Sequence, residues 1–240
     1  LQENNKEFMS IIGNQSYTTF PWEITENISY ENANFAIAPL LQNYTIYTPY
    51  LDRLNAGFYT GSDAPEYMIL YLSTIDGRLP LVETPLTWEK IYQNYCITAS
   101  DEAKFLLKKR EQPLERTLVE LHKVECGTED LIQIPQDCSF VKIEAKLGLK
   151  GSLENLFYKI LPVNMEVTYQ DGTVKSGRVI LENLVEGIEI GSLVWDNNDF
   201  KKYMDLDTRD KTVTGITLTG PGIRQYEDTM EVTFYSGSWK

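Results

Sequence analysis

The sequence predicts an all-β protein, built as an antiparallel β-sandwich with two lobes and at most one or two short helices. Short runs rich in Tyr, Thr, Val, Ile and Phe recur along the chain and end at Gly, Pro, Asn or Asp. One of these runs alternates strictly between apolar and polar residues, and Asp-Gly pairs follow two of them. Long helical periodicity is rare, which favours strands over helices as the main element.

Nine short runs have the composition of strands. They are 35–38, 44–48, 57–60, 67–73, 95–98, 140–145, 165–169, 213–218 and 230–235. Residues Thr117 to Glu125 are also predicted to re-enter a sheet. The run from Tyr67 is almost entirely apolar, which is typical of a central strand that is buried on both faces.

The clearest local pattern predicts a hairpin. Apolar residues alternate with polar ones from Val163 to Tyr169, so one face of this strand is expected to be buried. Asp171-Gly172 then predicts a two-residue type I′ turn, after which 174–180 returns as the second strand. Asp76-Gly77 predicts a second hairpin after the run 67–75.

The segment 100–112 is compatible with two structures. Ser100 is a suitable helix N-cap, acids follow it, bases come last, and Pro113 would end the helix. A strand at a sheet edge fits equally well. For the chain as a whole we expect a polar tail or linker over 1–15, one lobe over 16–148 and a second over 149–240; one large sandwich is the alternative.

Charge and composition exclude several functions. The chain has 22 Lys and Arg against 35 Asp and Glu, a net charge of −13, so it should repel nucleic acid and anionic lipid. Its single histidine, His122, excludes a multi-histidine zinc site and is expected to be structural. No segment has the composition of a membrane span, and the chain begins at Leu1. We therefore expect a processed product or an excised soluble piece of a longer protein; an extracytoplasmic or cell-surface location is implied only by the family resemblance given below.

The three cysteines are too few and too widely spaced for a zinc ribbon or a CxxC motif. Cys126 and Cys138 could meet across a hairpin and form a disulfide in an oxidising compartment. Free or buried thiols are the alternative.

Tryptophans beside hydrogen-bonding side chains indicate where a glycan could bind. Trp195 precedes Asn197 and Asn198. Their side chains could form hydrogen bonds with sugar hydroxyls while the sugar ring stacks on the indole of Trp195. Trp88 is the second candidate. Packing in the core is the alternative for both.

The acidic loop that follows Trp195 is the densest cluster of oxygen ligands. Asp196 and Asp199, followed by Asp205, Asp207 and Asp210, are the residue types that calcium prefers, although their spacing is not that of an EF-hand. A plain solvated loop is the alternative, and no other cofactor is expected. A glycosidase would need two acids in one cleft. Glu166 and Glu231 lie in predicted strands on the solvated face, so no catalytic pair is predicted.

The segments 138–145, 163–172 and 212–235 share a rhythm of strands. In this rhythm they resemble the jelly-roll, carbohydrate-binding-module-like domains in extracytoplasmic parts of bacterial membrane proteins that build surface polysaccharides. The resemblance implies a non-catalytic, outward-facing domain attached to a membrane-embedded glycosyltransferase, with glycan or polysaccharide as partner. The resemblance assigns no ligand-binding residue in this chain.

Three functions follow from these observations. The leading one is a non-enzymatic β-sandwich that binds glycan or supports a polysaccharide-building membrane protein. A carbohydrate-active enzyme that uses a pair of carboxylates is the first alternative. The second is an adhesin or protein-interaction module whose edge strands bind partners by β-augmentation.

Overall fold

A computed structural model describes residues 5–23, 34–157, 161–206 and 212–240, and in these ranges the chain forms twelve strands and five α-helices. The helices are α1 (Lys6–Ile12), α2 (Pro49–Phe58), α3 (Pro85–Asn94), α4 (Leu149–Phe157) and α5 (Asn197–Met204). The strands are β1 (Tyr17–Phe20), β2 (Tyr67–Tyr71), β3 (Tyr95–Ser100), β4 (Lys104–Lys109), β5 (Arg116–Gly127), β6 (Ile132–Gln133), β7 (Phe140–Leu147), β8 (Val163–Tyr169), β9 (Val174–Val179), β10 (Ile188–Glu189), β11 (Val213–Thr219) and β12 (Tyr226–Trp239).

The first sheet has the strand order β1-β2-β4-β3, with β1 parallel to β2 and the other pairs antiparallel. Met68 and Leu70 of β2 pack in one core cluster with residues of α3 and α5. Tyr67 and Ile69 pack on the opposite face with residues of α1. The prediction that this strand is central and buried on both faces is confirmed.

Two further sheets, β10-β7-β12-β5 and β6-β11-β8-β9, are wholly antiparallel. Inward side chains such as Val141 and Val232 of one sheet share a single core cluster with Val167 and Ile216 of the other. The described part of the chain is therefore mostly β and has three sheets, which agrees in part with the all-β prediction. The expectation of at most two helices is wrong, because helices rather than a second sheet cover the first sheet.

Three predicted strands are wrong, and they lie close together in the chain. Residues 43–45 form one 3₁₀ turn, 57–58 end helix α2, and residue 35 makes only an isolated bridge to Tyr17. Helix α2 begins here because Thr48 accepts a hydrogen bond from the backbone N–H of Leu51 (3.3 Å) and Pro49 occupies the first helical position. These start signals outweigh the β-prone composition of the run. The remaining predicted runs, and Thr117 to Glu125, lie in or overlap strands.

The predicted β8–β9 hairpin is confirmed, but its turn is of another type. In the turn only Gly172 has a positive φ (80°), and its N–H donates to the carbonyl of Tyr169. This is the three-residue loop with a left-handed glycine rather than a type I′ turn. At Asp76-Gly77 both φ angles are positive (56° and 68°), yet β2 pairs with β1 and β4 and forms no hairpin there.

Within the segment 100–112, Lys104–Lys109 form strand β4, which lies inside the first sheet between β2 and β3 rather than at its edge. Phe105 and Leu107 are buried on one face and Leu106 on the other, so both faces of β4 are covered. The helix alternative is wrong because successive buried residues point to opposite faces of a sheet, which is the period of a strand. The predicted N-terminal tail is also wrong over 6–12, since Phe8 and Ile12 of α1 pack on the same sheet.

The predicted lobe boundary at residue 148 does not separate one sheet from another. Strand β7 ends at Leu147, and it pairs with β12 on the other side of the predicted boundary at 148. The first sheet ends with β4 at Lys109, and the other two sheets begin with β5 at Arg116.

Candidate functional site

Trp88, one of the two predicted glycan-stacking residues, is a core residue. Its side chain is 4% exposed, and its ring packs edge-on against Phe20 and Phe200, with centroids 4.7 and 5.9 Å away. No face of this indole is open to a sugar ring, so the prediction of a binding role is wrong and core packing is the correct alternative.

Trp195 is half-buried against the core shared by the two antiparallel sheets. Its indole N–H donates to the hydroxyl of Tyr169 (2.7 Å), and the ammonium of Lys175 lies 5.0 Å from its ring centroid. The polar edge of the indole is therefore used within the fold, and a cation already lies over the ring.

The acidic loop is the N-terminal cap of α5. The Asp196 carboxylate accepts hydrogen bonds from the backbone N–H groups of Asn198 and Asp199, both at 2.9 Å. Asp199 in turn accepts from the N–H of Trp195 (3.1 Å), and the Asn197 amide donates to the carbonyl of Glu102 (3.2 Å). Asp196 therefore satisfies open N–H groups in the first turn of α5, which is a different role for its oxygens from the predicted calcium ligation.

Calcium binding at Asp196 and Asp199 stays a prediction. Within the described ranges, no three His, Cys, Asp or Glu side chains are grouped so that they could hold a metal ion. Asp207 and Asp210 lie outside the described residues.

Cys126 and Cys138 are free thiols, so the predicted disulfide is wrong. Cys126 pairs with Met230 of β12, whereas Cys138 precedes Phe140, which pairs with Tyr235 on the opposite side of β12. At least five residues of β12, about 17 Å, separate the two positions. A disulfide requires Cα atoms within about 7 Å of each other.

Glu166 and Glu231 do not form a pair. Glu166 lies on β8 and Glu231 on β12, in different sheets, and their inward neighbours Met165 and Val232 share one core. The two carboxylates therefore face away from opposite sides of that core. Glu231 instead forms an ion pair with Lys123, so neither acid belongs to a cleft with the other.

Besides Glu182, two acids that the sequence analysis missed have pKa values that burial raises. Burial raises the pKa of Asp52 to about 6, although its carboxylate accepts hydrogen bonds from the N–H groups of Leu86 (3.0 Å) and Thr87 (2.9 Å) and from the Thr87 hydroxyl (2.7 Å). Burial also raises the pKa of Glu83, which pairs with the fully buried Arg78 at 3.2 Å.

Neither of these acids is placed for chemistry on a substrate. Asp52 caps the first turn of α3 from α2, which ties the two helices together, and its side chain is completely buried. Raised pKa values are a signal of functional sites, but structural networks produce them too. The Thr84-Pro85 helix start was the one local signal that a cap was needed here.

A cleft lies between helices α3 and α5, which cover the first sheet, and the sheet β10-β7-β12-β5. Its cavity is about 30 Å³, and Trp88, Phe140 and Tyr203 are among the residues that line it. Arg116 forms ion pairs with Glu89 (2.6 Å) and Glu189 there, and its guanidinium lies 3.8 Å from the Phe140 ring centroid. The space suits about one water molecule and is far below the several hundred Å³ of ligand pockets.

Strand β5 is the longest described strand at the edge of a sheet. It has twelve residues and forms the edge of its sheet, pairing only with β12 among the described strands. The other described edge strands, β1, β3, β6, β9 and β10, have two to six residues. All nine positions from Thr117 to Glu125 are exposed, on both faces of the strand.

Apolar side chains and a bulge distinguish this edge. Leu118, Val119, Leu121 and Val124 are 36%, 57%, 38% and 36% exposed. His122 stacks on Phe234 at 4.7 Å, which agrees with a structural role. The pairing with β12 passes from His122 directly to Glu120, so Leu121 is an extra residue in β5. The sequence identified this strand but held no signal of its exposure.

Comparisons with known proteins add little to this description. No family model matches the chain, and no curated protein does. A solved structure of AlgX from Pseudomonas aeruginosa shows a likeness that covers 95% of this chain and 50% of that chain, with 12% sequence identity and a TM-score of 0.29. A likeness at this TM-score carries no argument about fold or function. The chain spans half the length of that structure.

Helix length gives one further finding. Among the residues described, no helix is both long and apolar enough to cross a membrane.

Proposed function

We propose that this chain is a non-catalytic interaction domain that docks an extended partner segment along β5, by β-augmentation. The extracytoplasmic, polysaccharide-building context implied by the sequence resemblance is part of the proposal. The observation that carries it is a twelve-residue edge strand that is exposed on both faces and displays four large apolar side chains.

An open strand edge offers a row of unpaired backbone N–H and C=O groups. An added strand would satisfy them, and alternate side chains of β5 would supply specificity. Val119 and Val124 would lose apolar area on one face of the extended sheet, and Leu118 would do so on the other. Main-chain hydrogen bonds and apolar burial would then act together.

The same edge carries features that limit indiscriminate pairing. Glu120, Lys123 and Glu125 are charged and exposed, and Leu121 introduces a bulge. Charges and bulges are common means of keeping edge strands from aggregating. Such an edge favours a partner whose charges and register are complementary.

A non-catalytic role is supported by the acids themselves. The oxygens of Asp52 and Glu83 are committed to hydrogen bonds within the core, and Glu166 and Glu231 face away from each other. Glycan binding through Trp88 or Trp195 loses its support because one indole is buried and the other has its N–H bonded to Tyr169.

The proposal is tested by selecting binders from a displayed library of random extended peptides, each as long as β5. Val119→Lys places a charge on the edge, and we expect it to abolish binding of the selected peptides. Val174→Lys is the matched control, since Val174 is a 54% exposed valine on a different sheet. Measured on dilute, monomeric protein, both variants should keep the wild-type melting temperature, because exposed positions tolerate substitution within about 0.5 kcal/mol.

Two results would overturn the proposal. One is a selection that yields no peptide sensitive to Val119→Lys. The other is a thermal shift with a bacterial or plant glycan that Val119→Lys leaves unchanged. A bound ligand at about 100 times its Kd stabilises a fold by about 2.7 kcal/mol, which a melt resolves. That second result would make glycan binding the better account.

A further inference from the structure

We propose that the partner strand on β5 is β5 of a second copy of this chain, paired antiparallel about a two-fold axis. This inference rests on the proposed docking role of the edge and names its occupant. It would join the two sheets into one continuous sheet of eight strands, with the order β10-β7-β12-β5 in each copy and the two β5 strands at the centre.

Full overlap of the two strands sets the register. When every residue of β5 has a partner, Arg116 of one copy lies opposite Gly127 of the other, and the axis passes between Leu121 and His122. Glu120 then lies opposite Lys123, and Val119 opposite Val124, each pair occurring twice by symmetry.

These pairs require that their members share a face of the sheet, and the bulge provides this. Within one copy, Glu120 is paired with Tyr235 and Lys123 with Thr233, two β12 residues of the same face. Val119 and Val124 are paired with Ser236 and Val232, on the other face. Without the extra residue at Leu121, positions three or five apart would point to opposite faces.

Charge complementarity favours this register over its neighbours. Opposite charges placed directly across an antiparallel pair are stabilising, and like charges are destabilising. A shift of the facing strand that brings Glu120 opposite Glu125 is penalised. A shift in the reverse direction brings Leu118 opposite Lys123 and separates Glu120 from Lys123. It places Glu125 opposite Arg116, whose guanidinium is already paired with Glu89 and Glu189 in its own copy. A chain of net charge −13 needs such local complementarity for two copies to associate.

The test uses two charge reversals that should complement each other. Glu120→Lys leaves only lysines at the two positions, and Lys123→Glu leaves only glutamates, so each variant alone repels its own copy. A mixture of the two variants restores both ion pairs in a heterodimer. Lys123→Gln is a milder second variant should Lys123→Glu lower the melting temperature, because Lys123 also pairs with Glu231.

Sedimentation velocity over a range of concentrations is the measurement. We expect wild type and the control Val174→Lys to dimerise, and each charge variant and Val119→Lys to dimerise at least about tenfold more weakly. An equimolar mixture of Glu120→Lys and Lys123→Glu should regain the wild-type dimer.

The inference is overturned by a wild-type chain that stays monomeric, by a dimer that both charge variants retain, or by a mixture that fails to regain association. The peptide selection separates this failure from that of the proposed function. Peptides lost on Val119→Lys, together with a monomeric wild type, would keep the docking role and assign it to another partner.

Discussion

Raising the pH is expected to weaken this fold through one buried carboxyl group. Asp52 lies on α2 with no exposed surface, and it accepts hydrogen bonds from the N–H groups that open α3. Burial raises its pKa from 3.8 to about 6. The folded state therefore binds a proton more tightly at Asp52 than the unfolded state does, and the free energy of unfolding must fall as that proton is lost.

The size of the effect follows from the two pKa values. One pKa unit corresponds to about 1.4 kcal/mol, so a rise of about two units makes the contribution of Asp52 about 3 kcal/mol. This stabilisation is fully present below the unfolded pKa of 3.8 and disappears as the pH rises through about 6. The raised pKa of Glu83 acts in the same direction.

Urea unfolding at a series of pH values, on wild type and on Asp52→Asn, isolates this contribution. The amide cannot titrate, so the difference in unfolding free energy between the two proteins should shrink by up to about 3 kcal/mol between about pH 4 and pH 7. Glu83 is present in both proteins and cancels to first order.

The variant also loses one acceptor for a helix N–H, at a cost of about 1–3 kcal/mol that does not depend on pH. Asp63→Asn, at an exposed position, is the control and should leave the pH dependence of wild type unchanged. Parallel pH profiles for wild type and Asp52→Asn would refute the reasoning, because they would mean that Asp52 titrates alike in the folded and unfolded states.

Two further substitutions test the packing. Trp88→Ala should lower the unfolding free energy, measured by urea titration, by about 3–5 kcal/mol. The control Tyr50→Ala, at a 70% exposed aromatic residue, should change it by no more than about 0.5 kcal/mol. Equal costs for the two variants would contradict the core position of Trp88. Gly187→Ala should lower the melting temperature, because Gly187 has a φ of 92° and an added Cβ would lie 2.1 Å from the Phe140 ring. The control Gly57→Ala lies in helix α2 with open space around it and should stabilise the protein by up to about 1 kcal/mol. A Gly187→Ala variant with the melting temperature of wild type would contradict the close contact between Gly187 and the Phe140 ring.

Local patterns predicted those parts of the fold that depend on neighbouring residues. The β8–β9 hairpin was found because alternation from Val163 and the glycine at 172 are both contained within one short segment. The composition of the region 44–60 predicts strands, whereas Thr48 and Pro49 start a helix there. The strand and the helix involve the same residues, and the structure forms the capped helix.

The candidate site was predicted less well, because a side chain's role depends on what lies against it. Trp88 and Trp195 are both tryptophans with polar neighbours in the sequence, so the sequence does not distinguish their roles. One is closed off by Phe20 and Phe200, which come from distant parts of the chain, and the other is bonded to Tyr169. Asp196 belongs to a helix cap because α5 begins immediately after it.

The sequence by itself determined the charge of −13, the predominance of strands and the existence of the strand at 117–125, since these depend on composition and on local alternation. Only the tertiary structure decided that β5 is an edge, that α3 and α5 cover a sheet, and that Asp52 is buried. Exposure is a property of the space around a residue. The segments that fill or leave open that space lie far away in the sequence.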